Sequence, residues 1–214
     1  MATLSVFGVM DSANGASLTT LFNRNNNGDP GGAVYFNLSV GANPITITGF
    51  DTNTEETSTA TSGFEVYTRS GTAQGFETSS TGWTLASNGT ITPLGVNNSS
   101  PVTLNNNITL EANTLYGIAL KMPSTVIHSY TDGTCSTSYT FVGNCGYQNG
   151  DLTLLLGSAN NTPFSSSAFS PRIWNGTIFY DVSSNSTTTP EPSLLFGLIG
   201  FGTLGLVGKV KKNK

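Results

Sequence analysis

The chain has 214 residues and a formal net charge of −4 at pH 7, so it is long enough for one domain with a sizeable core and a tail. Only 9% of the residues are charged, while Asn, Ser, Thr and Gly are abundant, a composition that disfavours long surface helices. Residues 1–189 contain four basic and eleven acidic residues, which argues against nucleic-acid binding because that function needs a positively charged footprint.

Alternating residue patterns predict short strands along the whole body. In AVYFNLSV (33–40), four apolar residues alternate with Tyr35, Asn37 and Ser39, and this period of two predicts a half-buried strand. Similar runs predict strands at 45–50, 63–69, 82–86, 114–121, 125–130, 138–142, 151–156 and 173–182. Turn-forming stretches such as NNNGDPGG, SNGT, GVNNSSP and YQNGD lie between the runs. The pattern predicts an all-β domain over 1–182, an antiparallel two-sheet sandwich or jelly roll.

The two cysteines, Cys135 and Cys145, leave two interpretations open. They are either unpaired thiols in a loop or a local disulfide. A disulfide that closes a loop of about ten residues stabilises a fold by roughly 2.7 kcal/mol in the chain-entropy model. The spacing is too long for a Cys-x-x-Cys redox site, and no second pair is present to bind zinc. We favour the disulfide because other features of the sequence point to a location outside the cytoplasm.

The C-terminal region differs from the body in composition. A polar linker at 183–189 separates the domain from an uncharged, glycine-laced run at 193–208. This run predicts a single membrane-spanning helix, although it is shorter than the roughly 17–25 residues that such helices usually have. A buried core helix or a loose tail is the alternative, but it leaves the following lysines unexplained. A basic cluster next to an apolar run is typical of the cytoplasmic side of a membrane. Four lysines form this stop-transfer cluster: Lys209, Lys211, Lys212 and Lys214.

The last 25 residues, PEPSLLFGLIGFGTLGLVGKVKKNK, resemble the bacterial PEP-CTERM sorting signal. Pro190, Glu191 and Pro192 match its triplet, 193–208 matches its membrane segment, and the residues from Lys209 onward match its basic end, which in the family is often arginine-rich. The resemblance implies export by a bacterium that makes exopolysaccharide. It also implies transient anchoring in the inner membrane, processing by an exosortase, and a final location at the cell surface or in the extracellular matrix.

The body carries a weaker resemblance. ITITGFDTNT, VYTRSGTAQGFETSSTGWTLAS and FSPRIWNGTIFY resemble the β-rich domain of many PEP-CTERM proteins, for which no activity is assigned. The resemblance therefore carries over no functional residue. An exported protein also needs an N-terminal signal, but MATLSVFGVMDSANG has no basic n-region. We therefore expect that the true start lies upstream or that the signal is missing from this sequence.

Catalysis is not expected from the residues of the body. His128 is the only histidine, and no Gly-x-Ser-x-Gly motif accompanies it. A glycoside hydrolase needs two carboxylates flanking the scissile bond, and Glu65 and Glu77 are the best candidates. Neither lies in a Glu-x-Asp-x-x-Glu pattern, so we predict that the protein is not an enzyme and keep a hydrolase as the third alternative.

No cofactor is expected, although a structural calcium ion is compatible with two oxygen-rich stretches. DTNTEE lacks the glycine and the distant glutamate of an EF-hand loop, and turns rich in Asn and Asp explain both stretches adequately. The candidate calcium ligands are Asp51, Asn53, Glu55, Asn25, Asn27 and Asp29.

Carbohydrate binding is the most specific alternative function. Sandwich modules stack sugars on exposed aromatic rings, although such rings more often fill cores. The candidate rings are Trp83, Trp174, Tyr130, Tyr139 and Tyr147. The sequence as a whole favours an exported, non-enzymatic protein with a structural or adhesive role, and the alternative is a carbohydrate-binding module for exopolysaccharide.

Overall fold

The computed structural model of the chain describes residues 14–165 and 167–183. In these ranges it contains β-strands and no helix, and therefore no helix that is long and apolar enough to cross a membrane. The predicted helix at 193–208, the Pro-Glu-Pro triplet and the four terminal lysines lie outside the described residues. The strands are β1 (Asn14–Thr19), β2 (Asn26–Pro30), β3 (Ala33–Val40), β4 (Ile45–Thr52), β5 (Thr61–Ser70), β6 (Thr84–Ile91), β7 (Ser100–Leu110), β8 (Leu115–Lys121), β9 (Ile127–Asp132), β10 (Gly146–Gln148), β11 (Leu152–Asn160), β12 (Arg172–Trp174) and β13 (Gly176–Val182).

The strands form two antiparallel sheets, which confirms the predicted all-β class. Ten strands lie in the order β1-β13-β4-β7-β6-β5-β8-β3-β11-β10, and the order β12-β9-β2 makes a smaller second sheet. The two ends of the large sheet come together. The side-chain amide of Asn149, next to β10, donates hydrogen bonds to the main-chain oxygen of Ser17 in β1 at 3.1 Å and to the hydroxyl of Tyr180 at 2.7 Å. The large sheet is therefore nearly closed.

Trp174 is a central anchor of the core. Its ring stacks on Phe36 of β3 at 5.1 Å between centroids and meets the edge of Phe50 of β4 at 6.1 Å. Its indole N–H donates a hydrogen bond of 2.9 Å to the hydroxyl of Thr52. Because Trp174 belongs to β12 of the small sheet, its ring joins that sheet to the apolar interior of the large one.

Strand β3 is buried on both faces, whereas its alternating pattern predicts burial on only one. Tyr35 and Asn37 are 1% and 3% exposed, because the β5–β6 loop folds back over the outer face of the sheet. The Asn37 side chain fixes this loop. Its oxygen accepts from the amide of Ala73 at 2.7 Å, and its NH₂ donates to the hydroxyl of Thr72 at 2.9 Å. A polar residue in the middle of a strand thus becomes an anchor for a covering loop.

Most predicted strands are confirmed to within a few residues, and the exceptions have local causes. The run 173–182 is divided at Asn175 into β12 and β13, which belong to different sheets. SNGT (87–90) is not a turn but part of β6, where a side chain on Gly89 would overlap the main chain of Thr103 in β7. β1, β2, β7 and β10 lie where the sequence predicts no strand, and the predicted turns NNNGDPGG and YQNGD overlap β2 and β10.

The predicted strand at 138–142 is wrong. These residues form turns and bends in the loop between β9 and β10. Tyr139 has φ of 59°, in the left-handed region that a strand residue does not occupy. Its conformation is explained by the contacts of its ring, which are part of the candidate site.

Candidate ligand-binding cleft

A cleft of about 540 Å³ lies on the outer side of the large sheet, where three loops meet. Its lining residues come from the segments 74–78, 136–139 and 167–171 and from Ser158 of β11. Ligand sites in proteins typically enclose roughly 300–1,000 Å³, so the volume suits a small molecule or one unit of a polymer. Hydroxyl groups dominate the lining, because most of its residues are serine or threonine.

Glu77 supplies the only carboxylate among the described residues of the lining. The residue is 8% exposed, and its Oε1 atom accepts hydrogen bonds from the Tyr139 hydroxyl at 2.8 Å and the Ser158 hydroxyl at 3.2 Å. The main-chain oxygen of Glu77 accepts from the Tyr35 hydroxyl at 3.3 Å and from the side-chain amide of Asn160 at 3.4 Å. None of the described residues donates a hydrogen bond to Oε2. The carboxylate is thus fixed in position through one of its two oxygens.

A glycine in β11 allows Tyr139 to reach Glu77. The Tyr139 ring lies directly against the main chain at Gly157, and a Cβ atom at this position would overlap the ring. The pairing of β11 with β3 is irregular at this point, because the register shifts between Leu156 and Ser158. The amide of Tyr139 donates to the oxygen of Leu156 at 2.8 Å. The irregular strand therefore holds the tyrosine in its left-handed conformation with the hydroxyl directed at the carboxylate.

The two buried tyrosines of the site remain protonated. Burial raises the pKa of the Tyr139 hydroxyl well above its ordinary value, and the nearby Glu77 carboxylate raises it further. Burial likewise raises the pKa of Tyr35, which donates to the main chain of Glu77. A protonated phenol is a hydrogen-bond donor, so Tyr139 keeps its hydrogen bond to the side chain of Glu77.

A disulfide holds one wall of the cleft. The sulfur atoms of Cys135 and Cys145 are bonded, and the loop that they close contains the lining residues 136–139. The loop is also attached to β11, because the amide of Leu156 donates to the main-chain oxygen of Cys145 at 2.9 Å. The disulfide and the hydrogen bond to β11 together restrict the motion of the loop 135–145, which has little regular hydrogen bonding of its own.

An aromatic cluster supports the loop that carries Glu77. The ring of Tyr35 meets Trp83 at 5.8 Å and Phe164 at 5.9 Å, both with edge-to-face geometry. The indole N–H of Trp83 donates to the main-chain oxygen of Phe76 at 3.0 Å, and the guanidinium group of Arg69 lies 3.2 Å from the centre of the Phe76 ring. These contacts hold the residue next to Glu77 and so determine where the carboxylate lies.

The aromatic residues considered for sugar stacking occupy different environments. Trp174 and Tyr130 are buried in the core at 1% and 3% exposure, so neither can stack on a ligand. Trp83 and Tyr147 are half-buried. Tyr139 is buried but borders the cleft, where its hydroxyl is the polar contact of Glu77.

The two hydrolase carboxylates do not line the same cleft. Glu65 lies on β5, pairs with Lys121 at 2.7 Å and accepts from the Tyr67 hydroxyl at 2.7 Å. Burial opposes ionisation of Glu65, but the hydrogen bonds from Lys121 and Tyr67 keep its pKa below the ordinary value. Glu77 lies in a loop rather than beside a strand, and it is the one that borders the cleft. His128 is buried in β9 and does not border the cleft.

The residues considered for calcium binding are engaged elsewhere in the fold. Asp51 lies in β4, Asn53 is fully buried, and Glu55 forms an ion pair of 2.9 Å with Arg24. Of the second stretch, 26–29 lies in β2. Among the described residues no group of three or more His, Cys, Asp and Glu side chains is placed to hold a metal ion. The calcium site therefore stays a prediction.

Sequence reasoning named Glu77 and Tyr139 under two separate hypotheses and missed their connection. It also missed Ser158 and Gly157. One available signal is the glycine inside the apolar run DLTLLLGSAN, since a glycine within a strand often marks a bulge or a close approach of another group. The chain matches no protein-family model and no curated protein.

Proposed function

We propose that the chain is an exported bacterial protein that is sorted to the cell surface or extracellular matrix and has a non-enzymatic, structural or adhesive role. The observation that carries the proposal is the disulfide between Cys135 and Cys145. Disulfides form and persist in oxidising compartments outside the cytoplasm and are rare within it. The acidic, hydroxyl-rich body is compatible with a location among hydrated polysaccharides.

The C-terminal sequence supplies the sorting part of the proposal. The lysine cluster stops translocation, and the segment 193–208 holds the protein in the bilayer. Proline does not fit comfortably inside a helix, and we propose that the Pro190-Glu191-Pro192 triplet, next to the segment 193–208, is where the protein is processed. An exosortase-type membrane enzyme is the partner that would process the protein there.

We also propose the finer architecture, a two-sheet sandwich or jelly roll followed by a membrane-spanning helix. Support for two layers comes from rings that meet across the core. Phe50 of β4 and Phe64 of β5 lie 6.5 Å apart, although β7 and β6 separate their strands within the sheet. Such a contact supports a sheet that folds over on itself.

The second candidate function is a carbohydrate-binding module for exopolysaccharide. The Glu77 cleft favours it, because a fixed carboxylate surrounded by hydroxyl groups offers both acceptors and donors to a sugar. Binding and a structural role are compatible, since an adhesive matrix protein must contact its polymer.

The sorting proposal is tested by the mass of the C-terminal peptide of the protein from its bacterial host, with and without the exosortase gene. We expect loss of the residues after about Pro190 only when the exosortase is present. The triple variant Pro190→Ala, Glu191→Ala, Pro192→Ala is expected to keep its tail in both strains. An intact tail on the unaltered protein in both strains contradicts the proposal.

A further inference from the structure

The charge of the cleft limits the kind of saccharide that it accepts. Among the described residues that line it, Glu77 is the only charged side chain, and none is Lys, Arg or His. The body as a whole is acidic, with eleven acidic against four basic residues in 1–189. A uronic acid or a sulfated sugar would bring a second negative charge next to a fixed carboxylate, and no described lining residue carries a positive charge to compensate for it, which is unfavourable.

The hydrogen-bonding groups of the cleft match a neutral polyhydroxyl compound. The Oε2 atom of Glu77 is an acceptor for which the described residues supply no donor, and a sugar hydroxyl can supply one. Ser136, Ser138 and Ser170 border the cleft with hydroxyls that can both donate and accept, and Gln74 adds an exposed amide. A ligand with many hydroxyls can use these groups together.

The carboxylate is prepared for such a ligand before binding. Tyr139 and Ser158 fix Oε1, so the position of Oε2 is set by the protein and no side-chain freedom has to be lost when a ligand hydroxyl binds. Hydrogen bonds to a charged group are stronger than those between neutral groups. Glu77 is therefore the residue of the cleft whose loss is expected to weaken binding most.

We propose that this cleft binds a neutral, hydroxyl-rich saccharide unit of a polysaccharide, with Glu77 Oε2 accepting a hydrogen bond from a sugar hydroxyl, and that it discriminates against acidic glycans. The proposal rests on the second candidate function and specifies its ligand. It is independent of the sorting signal.

The test is titration calorimetry of the full chain in detergent with two sets of oligosaccharides. The neutral set consists of hexamers of glucose linked β-1,4, of mannose linked β-1,4 and of galactose linked β-1,4, and the acidic set consists of hexamers of galacturonate and of mannuronate. We expect at least one neutral hexamer to bind with a Kd of about 1 mM or tighter. We expect both acidic hexamers to bind at least about tenfold more weakly than that neutral hexamer. Acidic hexamers that bind as tightly as neutral ones overturn the neutral specificity but leave carbohydrate binding in place. If neither set binds, the inference and the second candidate function are both overturned. The sorting proposal is not affected, because it is tested separately by the mass of the C-terminal peptide.

Three variants locate the site. Glu77→Gln keeps the shape of the side chain and removes its charge, and we expect it to weaken neutral binding at least about tenfold. Gln74→Ala changes an exposed residue of the cleft and is expected to weaken binding without loss of stability. Glu65→Gln, a carboxylate outside the cleft, is the matched control and is expected to leave the Kd unchanged. Equal Kd values for the unaltered chain, Glu77→Gln and Gln74→Ala place the binding elsewhere and overturn the assignment.

Discussion

Replacing His128 by leucine is expected to remove a large part of the acid sensitivity of the fold. His128 lies in β9 and is 1% exposed, and neither ring nitrogen has a hydrogen-bond partner among the described residues. Burial lowers the pKa of His128 to about 3, because the charged imidazolium would lose its hydration without gaining a partner. Leucine has a similar size and cannot be protonated.

The magnitude follows from the difference in pKa between the folded and unfolded chain. The pKa of His128 is about 3 in the folded protein and about 6.5 in the unfolded chain. Between these two pH values the unfolded chain binds a proton on the imidazole and the folded protein does not. The contribution of the neutral histidine to stability is complete above pH 6.5 and is lost as the pH falls toward 3. At about 1.36 kcal/mol per pH unit, the loss is about 3 kcal/mol at pH 4.

The assay is urea unfolding of the unaltered protein and His128→Leu at pH 7, 6, 5 and 4. Carboxylates titrate in both proteins and cancel in the comparison, so the difference in the free energy of unfolding reports on the histidine alone. We expect that difference to shift in favour of the variant by about 3 kcal/mol between pH 7 and pH 4. A difference in the free energy of unfolding that stays constant from pH 7 to pH 4 refutes the argument, because it means that the imidazole accepts its proton in the folded protein.

Three further variants and one control test the disulfide, the irregular strand and the core. Replacing Cys135 and Cys145 by serine is expected to lower the free energy of urea unfolding by about 2.7 kcal/mol in the chain-entropy model, and an unchanged value contradicts the stabilising role. Gly157→Ala is expected to displace the neighbouring tyrosine ring and lower the free energy of unfolding by about 1–3 kcal/mol, with weaker saccharide binding by calorimetry. Its matched control is Gly150→Ala, whose added methyl group meets no atom within 4 Å and is expected to change neither quantity. Trp174→Ala is expected to lower the free energy of unfolding by about 3–5 kcal/mol, and a loss below 1 kcal/mol contradicts its role as the core anchor.

The fold class could be predicted because alternation along a strand is a local property. β3 and β8 were found from their own residues, without knowledge of their neighbours. β7 was missed because three asparagines interrupt its apolar alternation, and its pairing with β4 is also irregular between Ile47 and Gly49. Irregular pairing is decided by two strands together, so one strand's sequence does not show it.

The candidate cleft could not be predicted because its contacts are distant in the chain. Glu77 is 62 residues from Tyr139 and 81 residues from Ser158, and only the path of the loops brings the three together. The sequence could identify each polar residue, but not that the aromatic cluster and Asn37 would fix the β5–β6 loop over the sheet. A carboxylate that is buried by contacts between loops leaves no periodic pattern in the sequence from which its burial could be predicted.

The disulfide connects export with the maturation of the cleft. Ser136, Ser138 and Tyr139 line the cleft from within the loop that the disulfide closes. In the reducing cytoplasm the two cysteines would remain thiols, and the loop would lose the restraint that holds Tyr139 near Glu77. On our proposal, the same export step that exposes the C-terminal triplet to the exosortase also oxidises the loop. The saccharide site is therefore expected to reach full affinity only outside the cytoplasm, in the compartment where its polysaccharide is found.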